Sequence, residues 1–198
     1  MPRGLFQKTI ISAAFLLMIL LISTGTAFAH KGHDGPPKVF MEEKEALKTM
    51  LPEGGKVVRR KEELKKEKYN EALKQWGYSP ETGVHSYFLS KGQGGEVLGT
   101  LFIHSVEYGH GEIVLATGYD KDGHLSGLKL LSSPGKHLKE VTDEVLNSGF
   151  LDKFLHLKTE DVIAAGKSYR KEPEGSLRHI LAREIGGTAI LLKIFQGL

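Results

Sequence analysis

The stretch VLGTLFIHSVEYGHGEIVLATGYDKDGHLSGLKLLS, residues 97–132, decides the fold. In it, β-branched, aromatic and other apolar residues alternate with polar ones at a period near two, which is typical of strands with one buried face. The turn sequences EYGHG and DKDG divide it into three runs, and GQGG at 92–95 separates it from one more run upstream. We therefore predict an antiparallel meander with strands at 86–91, 97–106, 112–119 and 124–132.

Helical patterns flank this meander on both sides. Upstream, apolar residues recur near helical spacing in FMEEKEALKTML at 40–51, and the short unit KVVRR at 56–60 is strand-like. The mixed-charge run RRKEELKKEK at 59–68 then leads into a second amphipathic segment that ends at Gly77. Downstream, helical spacing restarts at Leu138, and a last apolar helix runs from Ser176 to about Phe195. The order predicts an α+β fold, in which a sheet of about four strands, within residues 85–132, packs with N-terminal and C-terminal helices.

Composition excludes several kinds of site. The chain has 198 residues, 40% of them apolar, and no cysteine. A disulfide framework, thiolate-held zinc or iron–sulfur, and a cysteine nucleophile are therefore absent. With 27 basic and 24 acidic residues there is no clear basic excess, so no nucleic-acid partner is expected.

The first 29 residues have the pattern of a secretory signal peptide. Arg3 and Lys8 precede an uncharged apolar run at 10–22, and Ala27-Phe28-Ala29 forms an A-x-A processing site. The apolar run is shorter than the ~20 residues of a stable membrane span, although the uncharged stretch extended to Ala29 could serve as a retained anchor. We expect export to the periplasm or another extracytoplasmic space, with membrane association if the leader is not cleaved.

The remaining chain divides into three expected parts. Residues 30–38, HKGHDGPPK, read as a flexible tail, residues 39–77 as an N-terminal helical segment, and residues 78–198 as the α+β domain. Cleavage after Ala29 would make His30 the N-terminus, and its α-amine and ring could bind copper(II) together with His33. A solvated tail that carries these histidines without a metal is the alternative. A separate hypothesis places His104 and His110 near each other across a hairpin.

Residues 109–141, GHGEIVLATGYDKDGHLSGLKLLSSPGKHLKEV, followed by FLDKF at 150–154, resemble the FMN-binding domain of extracytoplasmic subunits in Rnf-type and sodium-pumping NADH:quinone oxidoreductase complexes. The resemblance implies a flavoprotein that relays electrons between redox partners or membrane-complex proteins, rather than an enzyme that turns over a small substrate. It also implies that the turn Ser133-Pro134-Gly135 approaches the flavin, and that Lys136 or His137 stabilises the reduced ring.

The flavin attachment motif of that family resembles Asp-x-x-Ser/Thr-Gly-Ala-Thr, and its final Thr carries FMN through a phosphodiester bond. This sequence contains no such string, and family spacing after FLDKF points to Gly166-Lys167 onward. Gly175-Ser176 is the closest remnant, and Thr188 in Gly186-Gly187-Thr188 is a second candidate. A hydroxyl at a helix N-terminus suits a phosphate, but Ser176 is equally an ordinary helix N-cap.

Three functions therefore remain open at this point. The first is an exported carrier of FMN, bound covalently or not. The second is a flavin-free binding or assembly module that kept the fold. The third is copper binding through the N-terminal histidines.

Overall fold

The structure is a computed structural model that describes residues 35–198. The predicted signal peptide and the first residues of the predicted tail, His30 and His33 among them, lie outside the described residues. Within residues 35–198, no helix combines the length and the apolar character needed to cross a bilayer.

The described chain forms one antiparallel sheet flanked by helices, an α+β arrangement. Its strand order is β1-β6-β5-β4-β3-β2, and every neighbouring pair is antiparallel. The prediction of about four strands within residues 85–132 is wrong, because residues 35–198 contain six strands, two of them outside that range. The strands are β1 Lys38–Val39, β2 Lys56–Leu64, β3 Gly83–Lys91, β4 Val97–Tyr108, β5 Gly111–Asp120 and β6 Leu125–Ser133.

Strand β2 begins with the predicted strand-like unit KVVRR and continues through the first part of the predicted surface helix. The mixed-charge run is extended as far as Leu64, and β2 pairs with β3 along its whole length, from Lys56 opposite Lys91 to Leu64 opposite Gly83. A charged edge strand has polar residues on both faces, so it lacks the alternation by which strands are recognised, and its charges oppose pairing with other chains. Only Leu64, which is 1% exposed, marks the buried side at the end of the strand.

Strand β1 lies at the junction between the predicted tail, which ends at residue 38, and the predicted helical segment, which begins at residue 39. Lys38 and Val39 pair with Ser133 and Ser132 of β6. The backbone N–H groups of Phe40 and Met41 both donate to the carbonyl oxygen of Leu131, at 2.8 and 3.3 Å. A pair of this length is too short to show any period, so sequence spacing could not reveal it.

Helical segments occupy the rest of the described chain. Residues 35–198 contain five α-helices, three single 3₁₀ turns and one π-helical turn. The α-helices are α1 Glu43–Met50, α2 Lys66–Trp76, α3 Leu138–Val141, α4 Thr159–Ser168 and α5 Leu177–Gln196, the 3₁₀ turns are Gly135–His137, Leu151–Lys153 and Tyr169–Lys171, and the π turn is Thr142–Leu146.

The two faces of the sheet carry cores of unequal size. The larger core joins inward side chains such as Phe102, Leu115 and Tyr119 to helices α2, α4 and α5. The smaller one joins Leu101, Ala116 and Leu131 on the opposite face to α1. Strand residues next to each other in sequence point to opposite faces, which explains the division.

Candidate functional site

A cavity of about 410 Å³ opens between α2, α4 and α5 and is the candidate functional site. We call it the basic cavity, because Lys167, Arg170 and Arg183 line it together with the partly buried His179. Two carboxylate residues, Glu172 and Glu174, also lie on its wall, so the charge of its lining is mixed with a cationic excess. Its other lining residues are Tyr69, Leu73, Gly77, Tyr78, Ser79 and Gly166.

Tyr78 forms the floor of the basic cavity, and glycines make room for it. Helix α2 ends at Gly77, whose left-handed backbone (φ 79°) turns the chain inward. The Tyr78 hydroxyl then donates to the carbonyl oxygen of Ile163 in α4, at 3.1 Å. A Cβ at Gly186 in α5 would lie 1.9 Å from that hydroxyl, and one at Gly166 would lie 2.9 Å from it. Close approach of α4 and α5 around the tyrosine therefore requires glycine at both positions.

The three cationic side chains of the basic cavity differ in the contacts that they make within the protein. Arg170 donates to the carbonyl oxygen of Gly77, and its guanidinium lies 5.7 Å from the centroid of the Tyr78 ring. It thereby caps the C-terminus of α2, where a cation is favoured by the helix dipole. Lys167 and Arg183 are exposed and make no ion pair or hydrogen bond with any of residues 35–198. Burial raises the pKa of Tyr78, which keeps its hydroxyl protonated, while Arg170 and Arg183 act in the opposite direction.

Ser79 contributes a buried hydroxyl that no group among residues 35–198 satisfies. The residue is 5% exposed and lines the basic cavity, and its Oγ has no hydrogen-bond partner in the described part of the chain. An unsatisfied buried polar atom costs free energy, so a ligand that bonded to it would recover that cost. Two unpaired cations and one unsatisfied hydroxyl therefore line the same cavity, and together they suit an anionic group with several oxygens.

The predicted flavin turn lies elsewhere, at the end of β6. Ser133 and Pro134 are buried, and the Ser133 hydroxyl donates to the carbonyl oxygen of Pro134 at 3.2 Å. Gly135 and the exposed Lys136 begin the 3₁₀ turn that follows. None of the four is among the residues that line the basic cavity.

His137 in this turn belongs to a separate polar cluster. Its Nδ1 lies 3.2 Å from Oε2 of Glu140, and the other carboxylate oxygen of Glu140, Oε1, accepts a hydrogen bond from the Tyr108 hydroxyl. The Tyr108 and His137 rings meet edge to face, with centroids 4.9 Å apart. A Cβ at Gly109 would lie 2.4 Å from His137 Nε2, so the turn between β4 and β5 packs directly on this histidine.

Gly175 and Ser176 form the entry to α5, as predicted from the sequence. Gly175 has a left-handed backbone (φ 82°), and Ser176 occupies the N-cap position. The Ser176 hydroxyl makes no capping hydrogen bond, however, and its Oγ is buried without a partner among residues 35–198. Ser176 does not line the basic cavity, although Glu174 and His179 on either side of it do.

Thr188, the other attachment candidate, is part of the protein core. It is 2% exposed, and its hydroxyl bonds with the carbonyl oxygen of Ile185 and with the Tyr119 hydroxyl, both at 2.8 Å. The residue lies in the middle of α5, away from the free N–H groups of the helix start. A hydroxyl held in this way is poorly placed to carry a phosphodiester.

Sequence reasoning did not identify Lys167, Arg183 or Ser79 as a set. One signal was present, since family spacing after FLDKF pointed to Gly166-Lys167, and Lys167 lines the basic cavity. A lysine cannot form the phosphodiester of the family motif, but its ammonium can pair with a phosphate. Ser79 and Arg183 come from other segments, so only the packing of α2, α4 and α5 brings them to Lys167.

The hypothesis that pairs His104 with His110 does not match the sheet. His110 lies in the turn between β4 and β5, whereas His104 lies within β4 opposite Leu115. Pairing of β3 with β4 places Phe88 opposite Leu101, and continuing that register brings His85 opposite His104. Both histidines line a second cavity, between α5 and strands β3 and β4.

Comparisons with known proteins identify no relative. No protein-family model, no curated protein and no solved structure matches this chain.

Proposed function

We propose that this chain is an exported electron-transfer protein that holds FMN without a covalent bond, with the phosphate group in the basic cavity. One observation carries the proposal. The unpaired Lys167 and Arg183 line the same cavity as the unsatisfied hydroxyl of Ser79. The flavin itself, and the redox partners outside the cytoplasmic membrane, come from the sequence resemblance.

The chemistry of the basic cavity fits the phosphate end of FMN. Ammonium and guanidinium groups make charge-assisted hydrogen bonds to phosphate oxygens, and these are stronger than neutral ones. The Ser79 hydroxyl adds a donor that has no other use in the described chain. A volume of about 410 Å³ lies within the range of small-molecule sites. Tyr69, Leu73 and Tyr78 supply the apolar and aromatic surface on which a planar ring system can pack.

When bound, FMN would supply the one-electron and two-electron chemistry, which belongs to the cofactor. The chain's own residues would bind and orient it. Lys167 and Arg183 would hold the phosphate, and Arg170, fixed on the Gly77 carbonyl, would keep Tyr78 in place as the floor. Lys167 occupies the region where the family spacing expects the attachment motif, so binding through charge takes the place of the ester.

The first experiment is to express the full chain in a host that exports and flavinylates such proteins, and to record its visible spectrum. The sample is then precipitated with acid and centrifuged. We expect flavin absorbance in the supernatant, because the bond is not covalent. Flavin absorbance that stays in the pellet would show covalent attachment and contradict the proposal.

Charge reversal tests the location of the phosphate. We expect Lys167→Glu and Arg183→Glu each to weaken FMN binding by about tenfold or more, since each removes a charge-assisted contact and adds a repulsive one. Lys171→Glu is the matched control, because Lys171 is exposed, lies close by in sequence and does not line the cavity. Equal losses in all three variants would show a general charge effect and reject the basic cavity as the site.

A flavin-free binding module is the second candidate function. It is favoured by the separation of the predicted flavin turn, Ser133–Lys136, from the basic cavity, since none of those residues lines it. In that case the purified protein is colourless and does not bind added FMN. The basic cavity still binds inorganic phosphate, and Lys167→Glu abolishes this binding. Copper binding through His30 and His33 stays a prediction from the sequence.

A further inference from the structure

The second cavity, about 450 Å³ in volume, has the opposite electrostatic character to the basic cavity. We call it the acidic cleft. It lies between α5 and strands β3 and β4, and no lysine or arginine is among the residues that line it. Its polar and aromatic lining includes Glu81, His85, Phe102, His104, Glu184 and Thr188.

Two carboxylates in the acidic cleft lack a side-chain partner in the described part of the chain. Neither Glu81 nor Glu184 makes an ion pair or a side-chain hydrogen bond within residues 35–198. Glu184 is only partly exposed, and burial raises the pKa of its carboxyl. The charge of Arg183 lowers this pKa, and the charge of Glu81 raises it. A partly buried carboxylate without a partner is costly, and a cation that reached it would relieve the cost.

An imidazole nitrogen in the same cleft is also unsatisfied. The Nε2 atom of His104 is buried and has no hydrogen-bond partner in the described chain. Burial, with the nearby His85, keeps this ring neutral, because it lowers the pKa of His104 to about 4. His85 is held differently, since its Nε2 lies 2.9 Å from the carbonyl oxygen of Glu81. The neutral His104 ring can therefore accept a hydrogen bond at Nε2 from an N–H group.

We infer that the acidic cleft binds an organic ammonium ion, whose N–H groups donate to the Glu184 carboxylate and to His104 Nε2 while its apolar part packs on Phe102. The lining favours a cation over an anion, since the described residues that form it include two carboxylates and the neutral imidazole of His104 but no lysine or arginine. It favours an organic cation over a metal ion, because residues 35–198 contain no group of three or more His, Asp or Glu side chains placed to hold a metal. A cavity lined by both an aromatic ring and a carboxylate suits an alkylammonium or arylalkylammonium ion.

This inference is independent of the proposed function. Ser79 and Arg183 line the basic cavity, whereas their sequence neighbours Pro80 and Glu184 line the acidic cleft. The two sites therefore lie on either side of the same segments and share no lining residue. Ammonium binding can be measured on protein without flavin, and Lys167→Glu is expected to leave it unchanged.

The test uses benzylammonium as the probe. Its binding is measured by calorimetry and by the NMR signals of the His104 ring. We expect saturable binding, a shift of the His104 signals, and affinity at least about tenfold higher than for benzyl alcohol, which has the same ring without the charge. Zinc ion serves as a second comparison ligand.

Variants then assign the contacts. We expect Glu184→Gln, which keeps the shape and removes the charge, to lower the benzylammonium affinity by about tenfold. Glu107→Gln is the matched control, since Glu107 is exposed on the same strand as His104 and does not line the cleft. His104→Gln should also weaken binding, and circular dichroism checks that each variant is folded. Each of four results would overturn the inference: benzyl alcohol binds as tightly as benzylammonium, zinc binds in place of benzylammonium, no saturable binding is found, or the two glutamate variants have equal effects.

Discussion

Substitution of the two adjacent glycines in α5 tests the packing that forms the floor of the basic cavity. In Gly186→Ala the new Cβ would lie 1.9 Å from the Tyr78 hydroxyl oxygen and 3.1 Å from the ring carbon that carries it. Tyr78 is 4% exposed and bonded to Ile163, so it cannot simply move into solvent. In Gly187→Ala the new Cβ would meet nothing closer than Pro80 Cγ, at 3.5 Å, which is ordinary contact.

The two variants should therefore change stability in opposite directions. Alanine at an interior helix position is favoured over glycine by ~1 kcal/mol, and Gly187→Ala should gain up to about that amount. Gly186→Ala gains the same but forces overpacking that costs ~1–3 kcal/mol, and displacing the tyrosine loses a hydrogen bond worth ~1 kcal/mol. We expect Gly186→Ala to be less stable than Gly187→Ala by roughly 2–4 kcal/mol in urea unfolding.

A double variant identifies the clash. Tyr78→Phe removes the atom that the new Cβ would strike, so the cost of Gly186→Ala should fall by ~1 kcal/mol or more in that background. Gly187→Ala should raise stability by the same amount in both backgrounds. If Gly186→Ala proves as stable as Gly187→Ala, or if its cost does not depend on Tyr78, the tyrosine is not wedged between α4 and α5 and the described cavity floor is wrong.

Three further results are expected. Leu64→Ala should lower stability by ~2–5 kcal/mol in urea unfolding, because its side chain is 1% exposed in the larger core. Val57→Ala on the same strand, where the side chain is 47% exposed, should change stability by less than ~0.5 kcal/mol. Similar effects of the two variants would contradict the described position of β2. Burial lowers the pKa of His104 to about 4 in the folded chain, against 6.5 in the unfolded chain, so stability is lost as the pH falls from about 6.5 to 4. His104→Gln should therefore reduce the loss of unfolding free energy between pH 7 and 4.5 by about 2 kcal/mol. An unchanged pH profile would refute this. Tyr119→Phe should cost ~1 kcal/mol in thermal or urea unfolding, because it removes the hydrogen bond to Thr188, and a neutral result would show that this bond adds no net stability.

The middle of the chain could be predicted from sequence because its strands keep one buried face. Strand β5 alternates between residues packed under α5, such as Leu115, and residues on the opposite face, such as Ala116, and the turn at 120–123 carries the expected Asp and Gly. Edge strands lack this signal. The start of β2, KVVRR, was recognised as strand-like, but the rest of β2 is charged on both faces and β1 is two residues long, so neither of these has a period to detect.

The candidate sites were harder to predict, because each is assembled from distant segments. Lys167 follows from spacing along the chain, but Ser79 and Arg183 reach it only through the close approach of α4 and α5 at Gly166 and Gly186. The pairing of His85 with His104 required the register of β3 and β4, which sequence gives only approximately. Thr188 was a candidate because Gly186-Gly187-Thr188 resembles the end of the attachment motif, and its hydrogen bond to Tyr119 shows why a similar string was not enough.

The outer edge of β6 has a consequence for the order of folding. Two segments close it. Lys38–Val39 and Phe40, near the start of the described chain, contact Ser133 to Leu131, and Leu157, which comes after β6 in the chain, contacts Leu125. When a chain emerges N-terminus first, β1 is made long before β6 exists, and closing such a loop early carries a large entropic cost. We therefore expect the local β3–β6 hairpins to form first, with β1 docking last. Until then β6 is an open edge, and this is the interval in which the newly emerged chain is most exposed to aggregation.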